Sequence, residues 1–250
     1  MSHEGQFDDK VAIITGAGSG IGEATTRLLH QRGGSVVLVG RSDKVDRAAS
    51  EIEGDSTRVM SIMADLTNED EVKSVVEKTV EKFGKVDILV NSAGITGGGN
   101  IETTTLEEWE YIHKNNGTIT FLCCKYAIAE MKKRRYGKVV NVSSIAGRFR
   151  GITSGLHYAY AKSGLLGFTR QLGAEVAPWQ INVNCMCPSQ TMTQMLKDLI
   201  NPEIEEHLNN IIPLKRIAQP EEQAAVIAFL ASDDSSYMAG ALVDSNGGQI

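Results

Sequence analysis

Val11-Ala12-Ile13-Ile14-Thr15-Gly16-Ala17-Gly18-Ser19-Gly20-Ile21-Gly22 runs from a short apolar, β-branched segment into a glycine-rich turn. The first four residues predict a buried strand bounded by Thr15-Gly16, and a helix follows from about Ser19 to Arg32. Glycines at such a strand-to-helix turn let the backbone approach a pyrophosphate, whose charge then meets the helix N-terminus. The spacing Gly16-x-x-x-Gly20-x-Gly22 is not the G-x-G-x-x-G of the usual dinucleotide fingerprint, though it occupies the same place. A tight turn that needs small residues and binds nothing is the bland alternative. The βα units that follow favour the nucleotide reading.

Outward from this turn, short β-branched runs alternate with longer amphipathic stretches. Further strands are predicted over residues 35–39, 58–63, 86–91, 138–142, 181–186 and 241–244. Asn68 reads as an N-cap with Glu71 at the third helical position, a capping-box arrangement. A long helix spans Leu106 to about Arg134, loosened at Asn115-Asn116-Gly117, and another runs from about Gly155 to Ala177. Continuous apolar strands joined by helices mean a parallel sheet covered on both faces. The expected fold is α/β, a doubly wound seven-stranded parallel sheet in a single domain over residues 1–250.

The 250 residues suffice for one such domain with a substantial core. A formal charge of −6 and a pI near 5.5 argue against nucleic acid as a partner. The one dense basic run, Lys132-Lys133-Arg134-Arg135, falls where a helix ends, and cations there suit the helix dipole. No apolar run approaches the roughly 20 residues that span a bilayer. Residues 1–10 are polar and unlike a targeting peptide, so a cytoplasmic location is expected. Cys123, Cys124, Cys185 and Cys187 lie in apolar segments without a further ligand at metal spacing; buried free thiols and no metal are expected.

Tyr158 and Lys162 stand four residues apart in His157-Tyr158-Ala159-Tyr160-Ala161-Lys162. On a helix that spacing puts both side chains on one face, about 6 Å apart along the axis. A phenol with a pKa of roughly 10 is a poor acid–base catalyst near neutrality. A nearby ammonium stabilises the phenolate and draws that pKa toward the working range. At the end of the second strand, Gly40-Arg41-Ser42 carries an arginine where an NAD site usually has an acid. Arg41 can accept a 2′-phosphate, which favours NADP(H) over NAD(H).

From Lys10 to Gly248 the chain resembles the short-chain dehydrogenase/reductase family in its single-domain, Rossmann-like form. Thr15-Gly16-x-x-x-Gly20-Ile21-Gly22, with Ser19, is similar to that family's cofactor turn. Asp65 in Ala64-Asp65-Leu66-Thr67 resembles the acid that meets the adenine ring. Asn91-Ser92-Ala93-Gly94 is similar to the family's Asn-Asn-Ala-Gly, which steadies the central sheet near the cofactor. Asn141-Val142-Ser143-Ser144 ends its strand as the catalytic serine segment does. The resemblance implies that Tyr158 exchanges a proton with a carbonyl or alcohol oxygen and that Lys162 also holds the nicotinamide ribose. Ser144 would bind the reacting oxygen, and Asn116 would loosen its helix to position a water. Asn115 is its neighbour, so that assignment could slip by one. Pro188 and Thr193 fall where the family meets the nicotinamide carboxamide, and residues 190–212 where it keeps a substrate lid. A homotetramer is expected on the same ground.

Departures from the pattern bear on substrate shape. The step from Ser144 to Tyr158 is one residue longer than usual, which implies an extra residue in Gly147 to Leu156 or a slightly different serine rotamer. Ile119 replaces a frequent glycine, and Pro188-Ser189 replaces Pro-Gly. The apolar Met192, Met195, Leu196, Leu199 and Ile200 line a pocket or pack a helix onto the body. Arg148 and Arg150, flanking Phe149, raise an anionic substrate, although loop arginines are usually solvated. His157 touches substrate or caps its helix. The leading expectation is a nicotinamide-dependent oxidoreductase acting on a carbonyl or secondary alcohol. The alternatives are a cofactor-binding sensor or structural subunit without turnover, and a redox-neutral offshoot that would not need the glycine turn or Lys162.

Overall fold

The computed structural model describes residues 4–52, 54–151, 154–198 and 200–250. The strands are β1 (Val11–Thr15), β2 (Ser35–Gly40), β3 (Val59–Met63), β4 (Ile88–Asn91), β5 (Gly137–Val142), β6 (Ile181–Pro188) and β7 (Leu242–Ser245). They form one sheet in the order β3-β2-β1-β4-β5-β6-β7. Every pairing is parallel. Helices α1 (Gly20–Gln31), α2 (Lys44–Ser50), α3 (Glu69–Phe83), α4 (Leu106–His113), α5 (Ile119–Arg134), α6 (Ile145–Arg148), α7 (Leu156–Val176), α8 (Gln194–Lys197), α9 (Pro202–Ile211) and α10 (Pro220–Ala231) fill the connections.

Successive strand residues point to opposite faces, and both faces of this sheet are dry. Ile13, Val37, Leu89 and Val139 pack on one side with Val72 and Val75 of α3 and Leu122 and Ala127 of α5. Ala12, Ile14, Leu38 and Val140 pack on the other with Leu29 of α1 and Ile227 of α10. This is why β1, β2 and β4 carry apolar runs without alternation. The strand order reverses between β1 and β4, and the crevice at their carboxyl ends is where such sheets bind ligands.

Two local expectations are corrected. Asn68 caps α3 by accepting from Asp70 N at 3.0 Å, but Glu71 accepts from Asp65 N at 2.8 Å and not from Asn68. The turn closed by Asn68 N on Asp65 O, at 2.9 Å, brings the Asp65 amide within the carboxylate's reach. At the end of α5 the basic run is only partly solvated. Lys132 Nζ lies 4.0 Å from the Trp179 ring centre, and Arg135 donates to Pro178 O at 2.7 Å.

The expected loosening at Asn115-Asn116-Gly117 is a π-helical turn, Lys114–Thr118, between α4 and α5. Among the described residues no helix is long and apolar enough to cross a membrane. All four cysteines are buried and free.

Candidate active site

Two cavities adjoin along the carboxyl edge of the sheet, one of about 290 Å³ and one of about 170 Å³. Gly16, Ala93, Gly94 and Ile95 border both. The larger is walled by Ser19, Gly20, Ile21 and Gly22 of the turn, by Ser144, Tyr158 and Lys162, and by Pro188 and Thr193. The smaller is walled by Arg41, Asp65, Leu66, Thr67, Asn115 and Ile119. The fold thus brings the sequence-predicted residues of seven separate segments onto one groove, all but Asn91 and Asn116.

The turn is built for close approach. Gly16 has φ 68°, and a Cβ there would stand 2.9 Å from Ala93 Cα. Thr15 Oγ1 locks the two segments by accepting from Ser92 N and Ala93 N, each at 3.1 Å. Ser19 makes no side-chain cap, so the first-turn N–H groups of α1 face the groove unoccupied by it. A pyrophosphate fits this cradle by charge and by space. Gly18 has another cause: a Cβ there would meet Lys44 Cβ of α2 at 2.8 Å.

Tyr158 and Lys162 lie one turn apart on α7, as the spacing predicts. Tyr158 opens onto the larger cavity beside Ser144, whose Oγ accepts from Ala146 N at 3.1 Å. Lys162 is 5% exposed; its Nζ donates to Val142 O at 3.0 Å and lies 5.6 Å from the Tyr158 ring centre. Burial pulls the Lys162 ammonium down to about 8, opposed by Cys185 and Cys187. Burial also pushes the Tyr158 phenol up, opposed by the Ser144 side chain. Desolvation of the phenolate sets the direction of the Tyr158 shift in this structure.

The two asparagines face different ways. Asn116 Nδ2 donates to Ile112 O at 2.8 Å and Ile95 O at 3.0 Å, while its buried Oδ1 has no donor among the described residues. A Cβ at Gly94 would lie 2.6 Å from that oxygen and 3.3 Å from Lys162 Nζ, so Asn116 stands behind Gly94 and not on the cavity wall. Asn115 faces the smaller cavity and accepts from Arg41 Nη1 at 3.2 Å. Asn115 thus lines the smaller cavity, whereas Asn116 lies behind Gly94 and lines neither. Sequence reasoning weighed Asn115 only as an alternative to Asn116 and gave Thr67 no role, yet both Asn115 and Thr67 line the smaller cavity. Asp65 is held below the usual carboxylate range by the backbone of Thr67, with Arg41 and Lys114 adding to it.

Asn91, grouped with the cofactor turn by resemblance, stands at the end of β4. Its Nδ2 donates to Asn141 Oδ1 at 2.9 Å and Cys124 Sγ at 3.3 Å, inside the sheet, and it reaches neither cavity. Arg148 is spent on Asp244 of β7, through Nε at 3.0 Å and Nη2 at 2.7 Å. Arg150 lies over the Phe149 ring, and neither arginine lines the groove. Met195 and Leu196 do line it, whereas Met192 and Ile200 pack with Leu208 and Ile212. Both readings of that segment are thus partly right; Leu199 lies outside the described residues.

A family model described as enoyl-(acyl carrier protein) reductase matches residues 16–249. The 3-oxoacyl-[acyl-carrier-protein] reductase FabG of Thermotoga maritima is 38% identical over 98% of this chain and 99% of its own length. The chain belongs to the short-chain dehydrogenase/reductase family. It is an oxidoreductase that uses a nicotinamide cofactor. Among solved structures, levodione reductase has a TM-score of 0.90 at 31% identity, covering 97% of this chain and 98% of that one. A 3-oxoacyl-[acyl-carrier protein] reductase of Brucella melitensis with bound NAD also has a TM-score of 0.90, at 30% identity, covering 99% of this chain and 94% of that one. Short-chain dehydrogenase/reductase membership agrees with the glycine cradle and the groove it opens onto.

Proposed function

We propose that the enzyme reduces the ketone of an uncharged substrate, or oxidises the matching secondary alcohol, with Tyr158 as acid–base group and NADP(H) as preferred cofactor. The observation that carries this reading is Tyr158 beside Ser144 and Lys162 on the wall of the groove that the glycine turn opens into. When bound, the nicotinamide supplies or accepts the hydride. Gly16, Ser19, Gly20, Ile21 and Gly22 would hold its pyrophosphate. Arg41, Asp65, Leu66 and Asn115 would take the adenosine half, and Ala93, Gly94, Pro188 and Thr193 the nicotinamide half. Tyr158 gives a proton to the carbonyl oxygen in reduction and takes it back in oxidation. Ser144 hydrogen-bonds that oxygen and stabilises charge gathering there. Lys162 holds a positive charge beside the phenol, and Asn116 offers toward Lys162, from behind Gly94, an Oδ1 that has no donor among the described residues.

Arg41 supports NADP(H): it is exposed at the mouth of the smaller cavity, and Gly40 puts no carboxylate against a 2′-phosphate. The wall of the larger cavity beyond the turn, Ile95, Ile145, Ala146, Met195 and Leu196, supports an uncharged substrate. Lys162 is the one charged side chain on that wall among the described residues. The 3-oxoacyl and levodione reductases among the relatives point to a ketone.

Residues 190–212 act as a lid in this reading. Thr193 sits over Gly20, where a Cβ would come within 2.8 Å of it. A one-domain homotetramer is supported by the exposed Leu106, Tyr111, Phe121 and Tyr160 on α4, α5 and α7, and a reducing, cytoplasmic setting by the four free thiols. Titration with NADPH and NADH, followed by turnover of neutral and anionic ketones with native and Y158F enzyme, tests the proposal. Full turnover by Y158F ends it.

A further inference from the structure

We propose that His157 is a positioning residue for Tyr158, a role that rests on Tyr158 being the acid–base group. Helix α7 begins after Gly155, which has no side chain with which to cap its first turn. His157, in the second helical position, folds back so that its Nδ1 accepts the Tyr158 backbone N–H at 2.8 Å. One orphan donor of the helix start is thereby satisfied by the neighbour of the residue that owns it.

The ring also does a second thing. It is 3% exposed and lies against the loop that follows β4. A Cβ at Gly97 would stand 3.1 Å from His157 Cε1 and 3.2 Å from Nε2, and one at Gly155 would stand 2.8 Å from Cε1. Gly155 N donates to Gly97 O at 2.7 Å beside it. The same loop carries Ile95 and Thr96 on the cavity wall, and Ile95 O takes the Asn116 amide. The imidazole is therefore the wedge between the peptide that carries the phenol and the loop that faces it across the groove. Fixing the Tyr158 peptide fixes where its hydroxyl meets Ser144. Small errors in such placement are costly to the chemical step.

The acceptor at Nδ1 makes the idea testable by shape. Asparagine places its Oδ1 where Nδ1 stands and keeps the bond to Tyr158 N. Glutamine reaches the Nε2 position and loses it, and leucine offers neither. Steady-state rates with NADPH and a neutral ketone are measured for H157N, H157Q, H157L and Y158F, beside thermal unfolding of each. We expect kcat to fall on the order of tenfold in H157Q and H157L with the cofactor KM within about twofold, and H157N to recover most of it. Equal kcat in all three His157 variants, or losses that track Tm with no rescue by asparagine, would overturn the role. Y158F separates the two readings: its full activity sinks the acid–base assignment itself, whereas an inactive Y158F beside a fully active H157L sinks only the role of His157.

Discussion

Lys162 Nζ donates to the Val142 carbonyl oxygen at 3.0 Å from a position that is 5% exposed. An ammonium so placed is held at the expense of stability. Burial lowers it from its ordinary 10.5 to about 8, with Cys185 and Cys187 opposing. Between those values the folded chain binds fewer protons at this site than the unfolded chain does. Stability from this group therefore rises with pH from about 8 to 10.5, and the penalty is complete below that window. The gap corresponds to roughly 3 kcal/mol, of which the lost hydrogen bond returns about 1 on substitution. Lys162→Met is expected to be about 2 kcal/mol more stable than native at pH 7 while losing turnover, with the advantage shrinking toward pH 10. Urea unfolding across that range checks it, and a pH-independent difference would contradict it.

Arg41 reaches Asn115 at 3.2 Å and is otherwise exposed. A charge-assisted contact with a 2′-phosphate is worth about 1.5–3 kcal/mol, or roughly tenfold to a hundredfold in affinity. Arg41→Ala is expected to weaken NADPH by that factor and leave NADH within about twofold, with the native preference shrinking at high salt. Fluorescence titration at two salt concentrations reads it. An unchanged NADPH affinity would remove Arg41 from the phosphate.

The parts of this molecule legible from sequence are those set by local period and spacing. The seven strands, the loosened helix at Asn115-Asn116-Gly117 and the Tyr158–Lys162 face all follow from residues within a few turns of one another. What escaped depends on distance or on solvent. Arg148 and Asp244 meet across 96 residues of chain, and nothing local announces it. The direction of Asn115 depends on the extra residue of a π turn, which rotates it away from Asn116. The rise of the Tyr158 phenol reflects burial, a property of the assembled fold. The need for glycine at position 18 comes from Lys44 of α2, whose Cβ a methyl there would meet at 2.8 Å, and nothing local announces that contact.

Gly94 separates the groove from Asn116. An added methyl would sit 2.6 Å from an oxygen that cannot retreat, since the same side chain is tied to Ile112 O and Ile95 O. Overpacking of this kind costs about 1–3 kcal/mol. Gly94→Ala is expected to lower stability by that amount and to raise the cofactor KM. Native values of both would show that the asparagine can move, and would weaken the case for its fixed Oδ1.

The Arg148–Asp244 pair ties the segment after Ser144 to β7. Both side chains are about one-third exposed or less, at 33% and 27%, and the contact is bidentate. A partly exposed pair contributes about 1 kcal/mol or less to stability. Its larger effect is geometric, because α6 is capped by Ser144 and ends at Arg148. Arg148→Gln and Asp244→Asn are each expected to lower kcat/KM several-fold with a small loss in Tm. Because both variants break one contact, the double variant should be no worse than either alone. Additive losses in the cycle would mean that the two residues act separately, and that the Ser144 segment is held by something else.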